Sequence, residues 1–549
     1  MKRGLLTLLL STTLSHFSSA APIGISGLSS DTTLTPESPP TLSWKLTSSE
    51  NYKRQNAYHI LAASSVEKLN EKDADLWNSG IIKSGAKRHI SWKGKDLTKG
   101  TTVHWKVKVW DETRTKEKEK EGESEWSKPA TFTIGKEFKP IAPVRLSTFE
   151  SSSPELNSLY KKSVATLGER LTASLEKGPS ALGTGAQVER SARALLYQYD
   201  ALPILTNWLQ EMDASLIDEK LFPIQPGSTD YASPSSEAAI SVHHPVWWMG
   251  GNPKHVAARW KKFENHMVAR EQNDMAFKGT TWGKTEATIE NLPSEFIDLC
   301  YLGYTTRLTR ELALPAQEFM NVIRFQDYAA RIRGSFERRY LDPKTGNLTL
   351  SSQTAHLLAL RSAVISPEKQ KPIIENFLTN LKKEGPKVGP IGAHFLPSVL
   401  TLTGNQDLAI KTLTSLKPEQ EAAFLGNGIS AWMMSYLAGI RSDGPGYQQI
   451  LIAPRIPSGD TLKWVKASYN SPSGTIVSHW EKLPENQTKV TVSIPAGVFA
   501  LISLPTTKEQ IVVCDNKTVN KENDFAVREK TDSILNFTIQ SGTHTFLIK

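Results

Sequence analysis

One carboxylate stands out by its placement. In SALGTGAQVERSARALLYQYD, residues 180–200, Glu189 lies between a small, flexible loop and an apolar stripe of helical period. A carboxylate there can move protons, provided that burial or a neighbouring negative charge sets its pKa to the task. The plainer role is a first-turn helix charge, favoured by the dipole, with Arg193 four residues on. The GTG triplet is no dinucleotide loop, because no strand precedes it. A second polar group follows in SSEAAISVHHPVWWMGG, which places His243, His244, Trp247 and Trp248 on one short helix. Helical spacing turns most of these four toward neighbouring helices, a packing role.

The elements that must hold these residues change period along the chain. TLSWKL, AYHILAAS, RHISWKG, TVHWKVKVWD and PATFTIG alternate as strands between polar turns, which predicts a small fibronectin-III-like sandwich over 21–135. Its Trp44, Trp105, Trp110 and Trp126 read as sheet core. A Pro-bearing linker takes 136–150. From 151 to 440 the period becomes helical, with starts near 154, 189, 200, 235, 253, 293, 315, 353, 366, 391, 405 and 419. Helices paired by short connections close as six hairpins, an (α/α)6 barrel with a funnel at one end. Alternation returns in KVTVSIP, FALISLP, QIVVCDN, ILNFTIQ and THTFLIK, predicting a C-terminal β-sandwich over 441–549. The fold class is thus multidomain: an all-β module, an all-α barrel and a second β-sandwich.

Composition narrows the function. With 549 residues the chain exceeds a single core. Lys2 and Arg3, the run GLLTLLL and the small residues Ser18, Ser19 and Ala20 read as a signal peptide over 1–20, hence as a secreted or periplasmic protein. No run is long and apolar enough to predict a membrane span. The formal charge of +9 is spread evenly, with no basic face interleaved with aromatics, so nucleic acid is not an expected partner, whereas an anionic glycan would suit the positive field. Cys300 and Cys514 are too far apart in sequence for a zinc motif, and no metal or other cofactor is expected.

Longer stretches carry a family likeness. PTLSWKLTSSENYKRQNAYHILAASS, DLWNSGII and VHWKVKVWD resemble the N-terminal module of bacterial α-L-rhamnosidases of glycoside hydrolase family 78. FESSSPELNSLYKKSVATL, YDALPILTNWLQEM and IGAHFLPSVLTLTGNQDLAIKTL, which includes His394, resemble that family's barrel helices. SYLAGIRSDGPGYQQILIAPRIPSGDTLKWVKASYNSPSGTIVSHWEK resembles its barrel-to-sandwich junction. The chain is short for the family, whose members usually carry further β domains between the first module and the barrel.

The resemblance implies an inverting glycosidase, in which a carboxylic acid and a carboxylate base stand roughly 6.5–9.5 Å apart around a water. It also implies where to look for them. The family's first acidic string corresponds to EKGPSALGTGAQVER, where only a shifted register lets Glu189 act. Its Asp-Trp pair corresponds to Thr281 and Trp282, with Glu286 and Glu290 close behind. Glu237 falls where the family places an Asp beside its sugar pocket. Its base region corresponds to LTSLKPEQEAAFLGNGISAWMMSYLAGI, where Glu419 or Glu421 stands in, although each also reads as a helix N-terminal charge behind Pro418. The candidate catalytic residues are therefore Glu189, Glu237, Glu286 and Glu419. Those for substrate binding are Trp282, Trp247, Trp248, His243 and His394. Because all three acidic clusters are thinned, two readings follow: a working α-L-rhamnosidase-like hydrolase with relocated carboxylates, or an impaired relative that binds carbohydrate or stabilises a partner. A lyase is a weaker third, since helical barrels host those too.

Overall fold

The computed structural model describes residues 23–30, 40–113, 122–135, 142–272, 292–515, 517–520 and 525–549. The first module is a sandwich of a three-stranded and a four-stranded sheet. Strand Thr41–Thr47 buries alternate residues, and the ten-residue strand Thr102–Asp111 does the same against Gln55–Ala63. Trp44, Trp105 and Trp110 are core, as their alternation predicts. Trp126 is half-buried beneath the ammonium groups of Lys106 and Lys108.

The barrel helices are α1 (Pro154–Lys177), α2 (Gly185–Gln198), α3 (Leu202–Ala214), α4 (Ala238–Ser241), α5 (His243–Gly250), α6 (Pro253–Gln272), α7 (Ser294–Ala313), α8 (Phe319–Tyr340), α9 (Gln353–Arg361), α10 (Gln370–Glu384), α11 (Pro390–Leu402), α12 (Gln406–Thr414), α13 (Pro418–Leu425) and α14 (Ile429–Trp432). The first shows the local logic. Ser153 caps it by accepting from the Leu156 N–H, Pro154 occupies the first turn, and Gly178 at φ 98° ends it. α4 and α5 act as one broken helix, and α14 runs on into a π turn over Met433–Leu437.

An inner ring closes on itself. α2 touches α4 and α5, α4 touches α7, α7 touches α9, α9 touches α11, α11 touches α14, and α14 returns to α2. α1, α3, α6, α8, α10 and α12 pack outside, completing the six hairpins that the sequence predicts among the described residues. The single last helix expected from 419 is in fact two, α13 and α14, because Gly428 adopts φ 89° and breaks the run.

At the C-terminal ends of the inner helices the second β-sandwich closes the barrel. The Tyr197 hydroxyl donates to Ile440 O at 2.7 Å, and Trp480 Nε1 donates to Leu437 O at 2.8 Å. The segment expected as linker contributes to this closure. Ser147–Ser151 is a strand that pairs antiparallel with Trp464–Ser471, so the seven-stranded sheet begins before the barrel does. The opposite end of the ring is left to the connections that enter the inner helices.

Candidate active site

The start of α2 fixes Glu189. Gly185 lies so close to the next connection that a Cβ would stand 1.9 Å from Ser235 O, and the adjacent Ala186 N–H donates to Ser235 Oγ at 3.2 Å. Gln187 Oε1 accepts from the Thr184 N–H, closing the first turn. The GTG triplet is therefore a packing device, and it holds Glu189 one turn inside the helix at 7% exposure. Facing it from α7 is Tyr304. Burial raises the pKa of this phenol, the negative charge of Glu189 adds to the rise, and Arg307, Arg361 and Arg193 oppose it. Arg193 is exposed although nearly all of α2 is buried, and its charge also acts on His394.

Across the lumen, His244 Nε2 bonds to Glu311 Oε2 at 2.8 Å, and Arg307 Nη1 holds Glu311 Oε1 at the same distance. Burial lowers the pKa of His244, so the neutral ring donates its Nε2–H. Burial would raise that of Glu311, but the hydrogen bond from His244 and the charge of Arg307 outweigh it and bring it down to about 2. His244 also stacks on Trp248, with centroids 6.1 Å apart and planes at 13°. With the folded pKa of Glu311 below its ordinary 4.5, its contribution to stability is complete above that pH and is lost as pH falls toward 2. Acid titrations of unfolding for the wild type and Glu311→Gln should diverge above about pH 4.5 and converge near pH 2.

His394 enters from α11. Its Nδ1–H donates to Asn427 O at 2.9 Å, which leaves the lone pair on Nε2. Burial carries its pKa down to about 4, helped by Arg190, Arg361 and Arg193. Arg190 Nε donates to Asn427 Oδ1 at 3.0 Å, so one asparagine positions both groups. Gly428 makes room for them: a Cβ there would lie 3.0 Å from His394 Nδ1 and 3.1 Å from Arg190 O, at a φ that other residues avoid. Gly428→Ala should therefore destabilise the fold by about 1–3 kcal/mol, as read by urea unfolding.

The remaining candidates lie elsewhere. Glu237 is fully enclosed, 3.2 Å from Arg270 Nε, and Arg270 also pairs with Asp298. Burial raises the pKa of Glu237, Arg270 opposes and Asp298 reinforces. These three groups bind the ends of α4, α6 and α7 together. His243 is core, bonded to Arg259 Nη1 at 3.1 Å and packed on Phe263. Trp247 faces a separate cavity of about 530 Å³ at the junction of the three domains, beside Arg88 and Asp200. Glu419 is exposed in the first turn of α13, and Glu421 pairs with Lys162 of α1 at 2.6 Å. Trp282, Glu286 and Glu290 lie outside the described residues. The structure thus brings Glu189, Trp248 and His394 to the lumen, together with Tyr304, Arg307, Glu311, Arg361 and Asn427, which sequence reasoning missed. The i, i+3, i+7 spacing of Tyr304, Arg307 and Glu311 on α7 is the signal that could have found three of them.

Residues 144–419 match the bacterial alpha-L-rhamnosidase six-hairpin glycosidase domain. The chain belongs to that family. Residues 29–137 match the Rha78A-like N-terminal immunoglobulin domain, and 439–518 the bacterial alpha-L-rhamnosidase C-terminal domain. An alpha-L-rhamnosidase of Streptomyces avermitilis is 21% identical over 472 residues, covering 77% of this chain and 44% of that protein. One from Formosa agariphila is 42% identical over 96 residues, 18% of this chain and 9% of the other. The chain spans less than half the length of these curated relatives. An alpha-L-rhamnosidase structure from Dictyoglumus thermophilum superposes with a TM-score of 0.79 at 13% identity, covering 96% of this chain and 99% of that one. The Streptomyces avermitilis enzyme complexed with L-rhamnose superposes at 0.62 and 16% identity, covering 97% of this chain and 54% of that one. At these identities the likeness is one of fold, and it includes both β domains.

Proposed function

We propose that the chain is a glycoside hydrolase acting on rhamnose-containing glycans, with Glu189 as a proton-transferring carboxylate. The observation that carries this is the position of Glu189: buried near the start of an inner-ring helix, facing Tyr304 and the arginines of the lumen. Of the other carboxylates, Glu311 is held ionised by His244 and Arg307, Glu237 is enclosed with Arg270, and Glu419 is exposed in the first turn of α13. For the second carboxylate that hydrolysis needs we propose Glu286, which lies in sequence between α6 and α7, outside the described residues. Trp248, stacked with His244, supplies an aromatic face for a sugar ring, and His394 offers Nε2 to a hydroxyl. The signal-like residues 1–20 support export, as suits a glycan substrate.

A second reading is favoured by the same distribution of charge. Among the described residues, Glu189 and the fully ionised Glu311 are the carboxylates associated with the lumen, which describes a carbohydrate-binding relative without turnover as well as half of an acid/base pair. Hydrolysis of an aryl α-L-rhamnoside and of rhamnose-containing oligosaccharides by the purified chain separates them. Turnover that Glu189→Gln or Glu286→Gln abolishes supports the hydrolase. Sugar binding with no turnover in the wild type supports the second reading.

A further inference from the structure

In the C-terminal sandwich, Cys514, Asp515 and His544 bring a sulfur, a carboxylate oxygen and a ring nitrogen within 4.8 Å of one another. Two antiparallel strands assemble them. Cys514 ends the strand Val512–Cys514 and pairs with Phe546 of Gly542–Ile548, and His544 lies two residues before Phe546, so both side chains take the same buried face of the sheet. Each is 2% exposed or less. Asp515 follows at φ 46°, and its half-exposed carboxylate meets both. Cysteine spacing conceals this set, because only one of its members is a cysteine.

The surroundings orient all three groups. The Thr545 N–H donates to Asp515 Oδ1 at 3.1 Å, which leaves Oδ2 3.5 Å from Cys514 Sγ and 3.3 Å from His544 Nδ1. On the far side of the ring, Nε2 lies 3.3 Å from Gln540 O. A carbonyl oxygen only accepts, so the hydrogen of the neutral imidazole sits on Nε2 and Nδ1 keeps a lone pair, facing another acceptor. A histidine hydrogen-bonded to a carboxylate comes closer, as His244 does to Glu311 at 2.8 Å. The separations are those of ligands: at tetrahedral angles and zinc bond lengths of about 2.0–2.3 Å, sulfur, oxygen and nitrogen stand about 3.3–3.6 Å apart.

We propose that Cys514 Sγ, Asp515 Oδ2 and His544 Nδ1 bind one Zn²⁺, with solvent completing four-coordination on the exposed side of Asp515. As the zinc–sulfur bond forms, the thiol proton leaves to solvent, so one thiolate and one carboxylate balance the dication. Gln540 O is the outer partner that fixes the orientation of a ligating histidine. Sulfur with nitrogen and oxygen selects zinc over calcium or magnesium, which take oxygen ligands. Bound there, the ion links Val512–Cys514 to Gly542–Ile548 beside the first module, since the His544 ring packs against Tyr52 with centroids 5.9 Å apart and the Tyr52 N–H donates to Ser541 O at 2.9 Å.

The test uses the full chain, stripped of metal with a chelator and titrated with Zn²⁺, and with Co²⁺ as an optical probe. One equivalent of cobalt is expected to give a thiolate-to-metal charge-transfer band and the intense visible bands of a four-coordinate ion, and zinc should displace both. Zinc should also raise the urea midpoint of the full chain, as any ligand of the folded state does. Cys514→Ser should remove the charge-transfer band, and His544→Gln should abolish stoichiometric binding. Asp515→Asn, which suits the left-handed turn, should weaken zinc binding by about tenfold or more. Because Asp515 is half exposed, this variant should fold even where those of the buried pair do not. Cys300→Ser, in the barrel, should leave spectrum and affinity unchanged. Failure to bind one equivalent of zinc would overturn the inference. So would cobalt binding without a sulfur band, or zinc affinity that Asp515→Asn leaves as it was.

Discussion

Glu189→Gln is expected to lower kcat on an aryl α-L-rhamnoside by about 10²–10⁴, with KM changed far less. The amide keeps the shape of the carboxyl and removes its capacity to carry a proton. Because Gln187, Thr184 and the Gly185–Ser235 contact hold the start of α2 without Glu189, the loss should not come from unfolding. A control follows from the geometry. Glu237→Gln, in an enclosed cluster of two carboxylates and one guanidinium, should leave turnover within about twofold, because the neutral side chain relieves a surplus negative charge and reaches no substrate. If the two variants exchanged these outcomes, the assignment of the lumen carboxylate would be wrong.

Arg270→Met should have the largest effect on stability, a loss of about 3–5 kcal/mol in urea unfolding. Arg270, Glu237 and Asp298 are each 1% exposed or less, so removing the cation leaves two carboxylates enclosed without compensation. Ser233, which donates to Asp298 Oδ1 at 2.9 Å, cannot supply the missing charge. The consequence reaches the site, because the cluster ties the start of α4, which leads into the His244 helix α5, to the start of α7, the helix that carries Tyr304 and Glu311. Adding Glu237→Gln to Arg270→Met should recover part of the loss, since one of the two orphaned charges is then neutral. Coupling of this sign marks a buried charge triad, whereas strict additivity would mean that the groups do not share a common field.

The sequence made the three-part architecture legible because each domain repeats one period over many residues. Alternation in TVHWKVKVWD and helical stripes such as that of α2 are local properties of the chain, and the structure follows them. Ser147–Ser151 escaped because a five-residue strand has too few residues to show its period, and its partner, Trp464–Ser471, lies over three hundred residues away. The split between α13 and α14 was hidden because Gly428 is one residue whose conformation depends on His394 and Arg190 packed against it. Glu189 was visible as a charge at a helix entry. Its surroundings were not, since Tyr304, Arg361 and Asn427 come from three other helices or connections; the spacing of Tyr304 with Arg307 and Glu311 marks one face of α7, but nothing in the neighbourhoods of Arg361 and Asn427 marks them. Likewise Glu237 looks catalytic in sequence, and only the distance to Arg270 reveals the cluster that encloses it.

The most direct test of the lumen as the functional site is a crystal structure of the full chain soaked with L-rhamnose. The sugar is expected inside the helical ring, within hydrogen-bond reach of Glu189 and covered by Trp248. Density for the sugar in the junction cavity beside Trp247 and Arg88, or on the N-terminal sandwich, with the ring interior empty, would contradict the account.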